Sequence, residues 1–396
     1  MLKLLLGSFV FSQTVMAGTV DTGVTSQAVG DNLIYDPANI IIVPWDHKGE
    51  FSQAETDDLI LIAEAKGLTL SQSKWHRGAT HYISQLANRV ATEYPKKYVG
   101  ASLSELGVPS LYIKGEAPQA LHDEVGVTIV DHQPYSLRQL KRRQGRVHRL
   151  LQDQGYDQIR TSFDVETGTI NAVVTGTDVM RSAFPVDLKS NINITVQYDP
   201  VLTLESTFGG IEATVNGAPN CTTGWVVENS SGMRGVTTAG HCGGINGVTH
   251  WGNKSHSTSI QDEHRGEYGD IEWHTTSTSE LPYFYFNHLN QVRRVESIEP
   301  VNSIVVGESI CVYGVFTNAR DCSLRVLETN VTCTGGGFTI ENLVRMDGDA
   351  TMGGDSGGGW SWGGRAYGSH VGDCGGNVFM PVDLFDEALG VSVVIY

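Results

Sequence analysis

The stretch TTAGHCGG, residues 237–244, sets a histidine directly before a cysteine on a turn of small residues. Two chemistries suit it. His241 and Cys242 are both metal-ligand types, or His241 is a catalytic base beside a structural disulfide. A second stretch, GGDSGGG at residues 353–359, bears on the choice. A serine between glycines lies where backbone approaches a substrate closely and where a tight turn aims amides inward. Acyl transfer needs a nucleophilic hydroxyl, a base, a group that orients the base, and amide donors for the oxyanion. Ser356 fits the nucleophile, and His241 fits the base because imidazole titrates near neutrality. The amides of Gly354 and Ser356 fit the oxyanion hole. An acid between the two in sequence completes the set. Asp270, in YGDIEWH (268–274), opens a strand-like run. Asp262 is the weaker candidate, among Gln261, Glu263 and His264 in what reads as a solvated loop. No HExxH or equivalent cluster accompanies His241, so the metal reading lacks ligands. No metal and no cofactor are expected. His250, His256, His264, His274 and His288 lack catalytic spacing and read as surface or packing residues.

The chain has 396 residues, room for two domains. Lys3, the apolar run from Leu4 to Phe11 and the small or aliphatic residues Val15, Met16 and Ala17 read as a secretory signal peptide over residues 1–17. That stretch is too short to span a bilayer. A secreted, extracellular protein is expected. All six cysteines fall in the second half, and an even count in an exported chain points to disulfides. Sequons at Asn193, Asn220, Asn229, Asn253 and Asn330 permit glycosylation. The net charge of −17 argues against nucleic acid or an anionic membrane as partner, since both need basic surface.

Composition changes near residue 205. Before it, Ser71 to Tyr94 and Leu137 to Gln152, the latter capped by Ser136, carry helical patterns. Strand candidates lie at Ser110 to Ile113, Val125 to Val130, Ile159 to Val165 and Ile170 to Val174, the last two flanking the turn signal Glu166-Thr167-Gly168. This reads as an α/β or α+β domain over residues 18–205. After it, 31 of the 46 glycines separate short β-branched runs such as Ser303 to Val306, Ile310 to Val315 and Val391 to Ile395. Many short strands with glycine turns mean a sandwich or barrel. Only Asp383 to Leu389 suggests a helix.

The order His241, Asp270, Ser356 and the stretches GGIEATVNGAPNC, GVTTAGHCGG, YGDIEW, GGDSGGGW, YGSHVGD and MPVDLFDEALGVSVV resemble the secreted microbial branch of the chymotrypsin-like serine proteases, that of α-lytic protease and the streptogrisins. The resemblance covers residues 206–396. It implies an all-β catalytic domain of two packed six-stranded antiparallel β-barrels with the triad between them. It implies that Cys242 pairs with Cys221 and Cys311 with Cys322, which leaves Cys333 with Cys374. Relatives carry a cysteine just before the serine motif where this chain has Ala350, so the third bridge stays open at this point. A second departure concerns Asp355, which in these proteases is buried in an ion pair. Microbial relatives often supply an arginine after the cysteine matched by Cys311. Here Val312 stands there, and Arg234, Arg320 and Arg345 are alternatives.

The family's long pro-region, which assists folding and then inhibits, matches residues 18–205 in place and grammar, and TSFDVETGTINAVV resembles its hairpin. A mostly antiparallel barrel has many non-local contacts and folds slowly, which gives a template a physical rationale. The expected partners are a protein or peptide substrate and the chain's own pro-region, with a monomeric mature form. In related glutamate-specific endopeptidases a histidine stands on the primary pocket wall at the place of His370, close to Gly372 and Asp373. Asp373 opposes glutamate if it faces the pocket. The junction LTLESTFGG favours glutamate, since cleavage after Glu205 starts the mature chain at Ser206. The alternative is a binding module on the protease fold with catalysis lost.

Overall fold

The computed structural model describes residues 51–396 except 105–106, 157, 176–183, 186–187, 189, 198–202, 205–210, 251–253, 279 and 288–290, together with two short strands at 34–35 and 40–41. The expected signal segment, the junction at Glu205 and Ser206, Asn253 and His288 lie outside the described residues. Among the described residues no helix is long and apolar enough to cross a membrane.

Helix α1 (Gln53–Lys66) starts at a capping box in which Ser52 and Glu55 satisfy each other's amides, and ends on Gly67 at φ +63°. Helix α2 (Leu70–Glu93) starts at a second box, Thr69 with Gln72. Its apolar face (Ala79, Ile83, Leu86, Val90) packs on Leu111 and Ile113 of a three-stranded sheet formed by Tyr98–Leu103, Pro109–Lys114 and Thr128–Gln133. Helix α3 (Leu137–Asp153) lays Leu140, Val147 and Leu151 on the hairpin Ile159–Phe163 and Ile170–Thr175. The sequence pattern anticipates α2, α3 and that hairpin. It does not anticipate α1, whose Leu59 and Ile62 leave their own region to pack with Trp360, Trp362, Tyr367 and Phe379.

The rest is β. An eight-stranded antiparallel sheet runs in the order Ala218–Thr222, Glu212–Val215, Gly247–His250, Lys254–Gly266, Gly269–Thr276, Arg234–Thr238, Val226–Asn229 and Val391–Val393. The second sheet contains Cys311–Gly314, Val326–Gly335, Phe338–Met346, Gly359–Trp362, Arg365–Asp373 and Asn377–Pro381. Two six-stranded barrels are expected; the described residues instead form an eight-stranded and a twelve-stranded sheet, with no pairing that closes either one. The second is enlarged because Ile159–Phe163 adds to the edge strand Val326–Gly335, with Thr161 opposite Thr332. An exposed edge is a row of unpaired amides and carbonyls, and an incoming strand satisfies it. Two smaller expectations also shift. Residues 303–306 form no regular strand: Ser303 ends a 3-10 turn, Val301–Ser303, and Val306 makes a single parallel bridge to Ser102. Asp262 sits within the strand Lys254–Gly266, on its exposed side, and not in a loop. The C-terminal helix is Phe385–Leu389, preceded by a 3-10 turn.

Candidate active site

His241 lies on a 3-10 turn, Gly240–Cys242, that follows the strand Arg234–Thr238. The turn is tied at both ends. Thr238 Oγ1 donates to the Thr222 carbonyl at 2.7 Å, and Cys242 is bonded to Cys221. Asp270 is the second residue of the strand Gly269–Thr276 and is fully buried. Ser356 lies in the turn before the strand Gly359–Trp362, also fully buried, with its carbonyl accepting from the Thr222 amide at 2.8 Å.

These three side chains form one line. His241 Nδ1 is 2.5 Å from Asp270 Oδ2, and His241 Nε2 is 2.9 Å from Ser356 Oγ. Asp270 accepts only, so Nδ1 carries the proton and Nε2 is left to accept from the serine hydroxyl. Asp262 has no part in this line.

The turn of Gly354 and Ser356 is held by Asp355. Its fully buried carboxylate accepts four hydrogen bonds: from the Phe316 and Thr317 amides at 2.9 and 3.3 Å, the Thr317 hydroxyl at 2.5 Å and the Met352 amide at 2.9 Å. Among the described residues it makes no ion pair. Arg234 pairs with Glu228, Arg320 with Asp58 and Arg345 with Glu328, so each expected alternative is engaged elsewhere. Charge-assisted bonds to neutral donors satisfy a buried carboxylate without a counter-ion. Gly314 makes room for it, since a Cβ there would fall 2.1 Å from the Asp355 carboxyl carbon.

The second and third disulfides are Cys311–Cys322 and Cys333–Cys374. The close His/Cys/Asp groups among the described residues are Cys221–His241–Cys242 and Asp58–Cys311–Cys322. In both, the sulfurs are already bonded to each other, so neither offers a thiolate. His274 is buried and meets Glu272 at 3.0 Å, and the His264 ring accepts from the Tyr268 amide.

His370 is fully buried on the strand Arg365–Asp373. Trp360 Nε1 donates to its Nδ1 at 3.4 Å, so Nε2 carries the proton and donates to Thr351 Oγ1 at 3.0 Å. Thr351 Oγ1 also accepts from Asn377 Nδ2 at 2.9 Å. The Asp373 carboxylate turns back on its own chain to accept from the amides of Gly375 and Gly376. Burial pushes its pKa up, but hydrogen bonds with Asp349 and these two amides and the charge of Arg160 outweigh that and hold it below the ordinary value. The short strand Thr203–Leu204 pairs antiparallel with this segment, Leu204 opposite Gly372 and Thr203 opposite Asp373.

No family model matches the chain, and no curated protein matches it. Solved structures do. One is a glutamic-acid-specific serine protease described as using a histidine triad in substrate binding, at 24% identity and TM-score 0.37, covering 48% of this chain and 98% of that one. Cellulomonas bogoriensis chymotrypsin matches at 25% identity and TM-score 0.38, over 48% of this chain and 99% of its own. Thermobifida fusca protease A matches at 26% identity and TM-score 0.37, over 48% and 99%.

Proposed function

We propose that the chain is a secreted serine endopeptidase made as a precursor, with His241, Asp270 and Ser356 as its triad. The observation that carries this reading is the unbroken line Ser356 Oγ–His241 Nε2 and His241 Nδ1–Asp270 Oδ2. In the reaction, Ser356 Oγ attacks the scissile carbonyl while its proton passes to His241 Nε2. Asp270 keeps the imidazole in the accepting tautomer and stabilises the imidazolium. The oxyanion faces the amides of Gly354 and Ser356, whose turn Asp355 fixes. His241 then protonates the leaving amine, and water, activated by the same base, releases the acyl group from Ser356.

Residues 18–205 are read as a pro-region, 206–396 as the mature enzyme, and 1–17 as a removed signal peptide. Supporting this, the edge strand Val326–Gly335 takes its partner from the first half, and the chain reaches the His370 segment as the strand Thr203–Leu204, directly before Glu205 in sequence. The preferred residue before the scissile bond is read as glutamate. Supporting this, His370 stands at the place of the pocket-wall histidine and donates to Thr351 Oγ1, which also accepts from Asn377. The same amide bonds that turn Asp373 onto its own chain keep it ionised, so its charge remains the feature that opposes glutamate. Of the described sequons, Asn193, Asn220 and Asn330 have their side-chain amides engaged, to Asn171, the Cys242 carbonyl and Thr329.

The test is a peptide-library profile of the secreted protein together with sequencing of its mature N-terminus. Cleavage after glutamate and a terminus at Ser206 are expected. Cleavage after apolar residues with a terminus following Leu204 or Phe208 contradicts the specificity. Absence of any hydrolysis by the fully processed protein favours a binding module.

A further inference from the structure

We propose that Arg265 is a positioning residue of the triad, bracing the acid and the base with one side chain; this rests on the serine-peptidase reading above. Asp270 spends Oδ2 on His241, but its Oδ1 is buried with no hydrogen-bond donor among the described residues. A buried carboxylate oxygen left unpaired is costly. There is little room for water to repair it. A Cβ on Gly240 would stand 2.9 Å from Oδ1 and 3.0 Å from the His264 carbonyl, so the main chain already covers that side. The group facing Oδ1 is the Arg265 guanidinium, with Nε at 3.8 Å. That Nε is also buried and lacks a hydrogen-bond partner among the described residues. Two buried atoms of opposite charge, each otherwise unpaired, therefore face one another as an ion pair.

Strand register explains the meeting. Arg265 is the direct cross-strand partner of Asp270 where Lys254–Gly266 turns back into Gly269–Thr276. The rest of the guanidinium is also committed. Nη2 donates to the carbonyl of Gly240, the residue before the base. Its Cζ lies 4.9 Å from the centre of the Phe338 ring, and the same Nη2 meets Glu263 Oε1 at 2.7 Å. One side chain thus fixes the carboxylate that orients the imidazole and the backbone that carries it. A planar fork does this; a lysine carries the charge but not the fork.

The charge has a second consequence. Among the described residues, the ionisable groups near the base include Asp270, Arg265 and, beyond Arg265, Glu263, while His264 contributes its main-chain carbonyl. A cation behind Asp270 opposes the imidazolium, so removing it favours protonated His241. The acid limb of kcat/KM then moves to higher pH.

The experiment uses the secreted enzyme, processed in trans by the wild type where a variant does not process itself. Wild type is first checked for labelling by a serine-directed organophosphonate and for peptide hydrolysis. Arg265→Met is expected to lower kcat by roughly ten- to a hundredfold with KM little changed, because the loss is in transition-state positioning. Its acid limb should rise by roughly half a pH unit. Arg265→Lys should return the limb to the wild-type position and restore only part of kcat. An Arg265→Met enzyme with wild-type kcat and an unmoved limb overturns the proposal. So do equal losses in both variants with the limb unmoved, the mark of a merely structural arginine. A wild type that takes no label and cleaves nothing removes the underlying reading, and this inference with it.

Discussion

Two fully buried aspartates, Asp355 and Asp58, are compensated in different ways. Asp355 accepts only neutral donors, all from its own half of the chain: two backbone amides and a hydroxyl at Phe316 and Thr317, and the Met352 amide. Asp58 sits on α1 and is held by two guanidiniums from the other half. Arg293 Nη1 lies 2.9 and 3.0 Å from its oxygens, Arg320 Nε and Nη2 lie at 2.6 and 2.8 Å, and the Gly363 amide adds a bond at 2.8 Å. Nearby, Arg77 of α2 makes the same kind of crossing to Glu308 and the Tyr367 hydroxyl. The neutral socket stays satisfied whatever the first half does. The charged contacts do not: withdrawing the helices leaves arginines facing each other and a buried glutamate without the Arg77 charge, holding only the Tyr367 hydroxyl and the Val305 amide. The turn bearing Ser356 is thus built to persist, and the grip of the first half on the second is built from parts that each need the other.

This contrast makes graded predictions. The largest effect belongs to the triad: Ser356→Ala or His241→Ala should lower kcat by on the order of a millionfold while the fold survives, read by hydrolysis and circular dichroism. Next is the neutral socket. Asp355→Ala strands the donors at Phe316, Thr317 and Met352 and should cost about a hundred- to a thousandfold in kcat, the scale of losing one oxyanion donor. Equal activity would show that the turn holds itself. Asp58→Ala should act differently. It leaves two buried guanidiniums without their carboxylate, a loss of about 3–5 kcal/mol by analogy with other broken buried pairs. Limited proteolysis should show α1 cut early in the full chain, while turnover per labelled serine in the processed enzyme is unchanged. A fall in turnover would mean that the two regions are not separable.

The smallest effect is a pH dependence. Burial pushes Glu308 up from the ordinary carboxyl value to about 7, against the pull of Arg77. An acid with a raised folded pKa contributes its full stability below the unfolded value of 4.5 and loses it as pH rises toward about 7. Denaturant unfolding of the full chain should therefore weaken over that window, and Glu308→Gln should flatten the dependence. A wild type and a variant with parallel profiles would show that Arg77 holds the glutamate ionised throughout.

What is legible in the sequence follows range of interaction. Ser356 and His241 sit in short stretches whose glycines and neighbouring cysteine carry the geometry locally, and the structure brings both to Asp270. Helices α2 and α3 show apolar stripes and capping residues. Helix α1 shows no such stripe, and its buried face includes the charged Asp58, whose partners are far away in sequence. The box at Ser52 and Glu55 was the signal available for it. The donors to Asp355 are not legible, because two of the four are backbone amides on a turn about forty residues away, a role any residue type fills. The twelve-stranded sheet is hidden for the same reason: Thr161 meets Thr332 by edge pairing that leaves no trace in composition.

The most direct test of the triad is the site of covalent labelling. The protein is treated with a serine-directed organophosphonate, digested, and the modified residue located by mass spectrometry, with Ser356→Ala and His241→Ala alongside. One adduct at Ser356, absent from the alanine variant and strongly slowed without His241, is the expected result. No adduct on correctly processed protein, or labelling that proceeds at full rate without His241, would contradict the assignment of this line of residues as a catalytic triad.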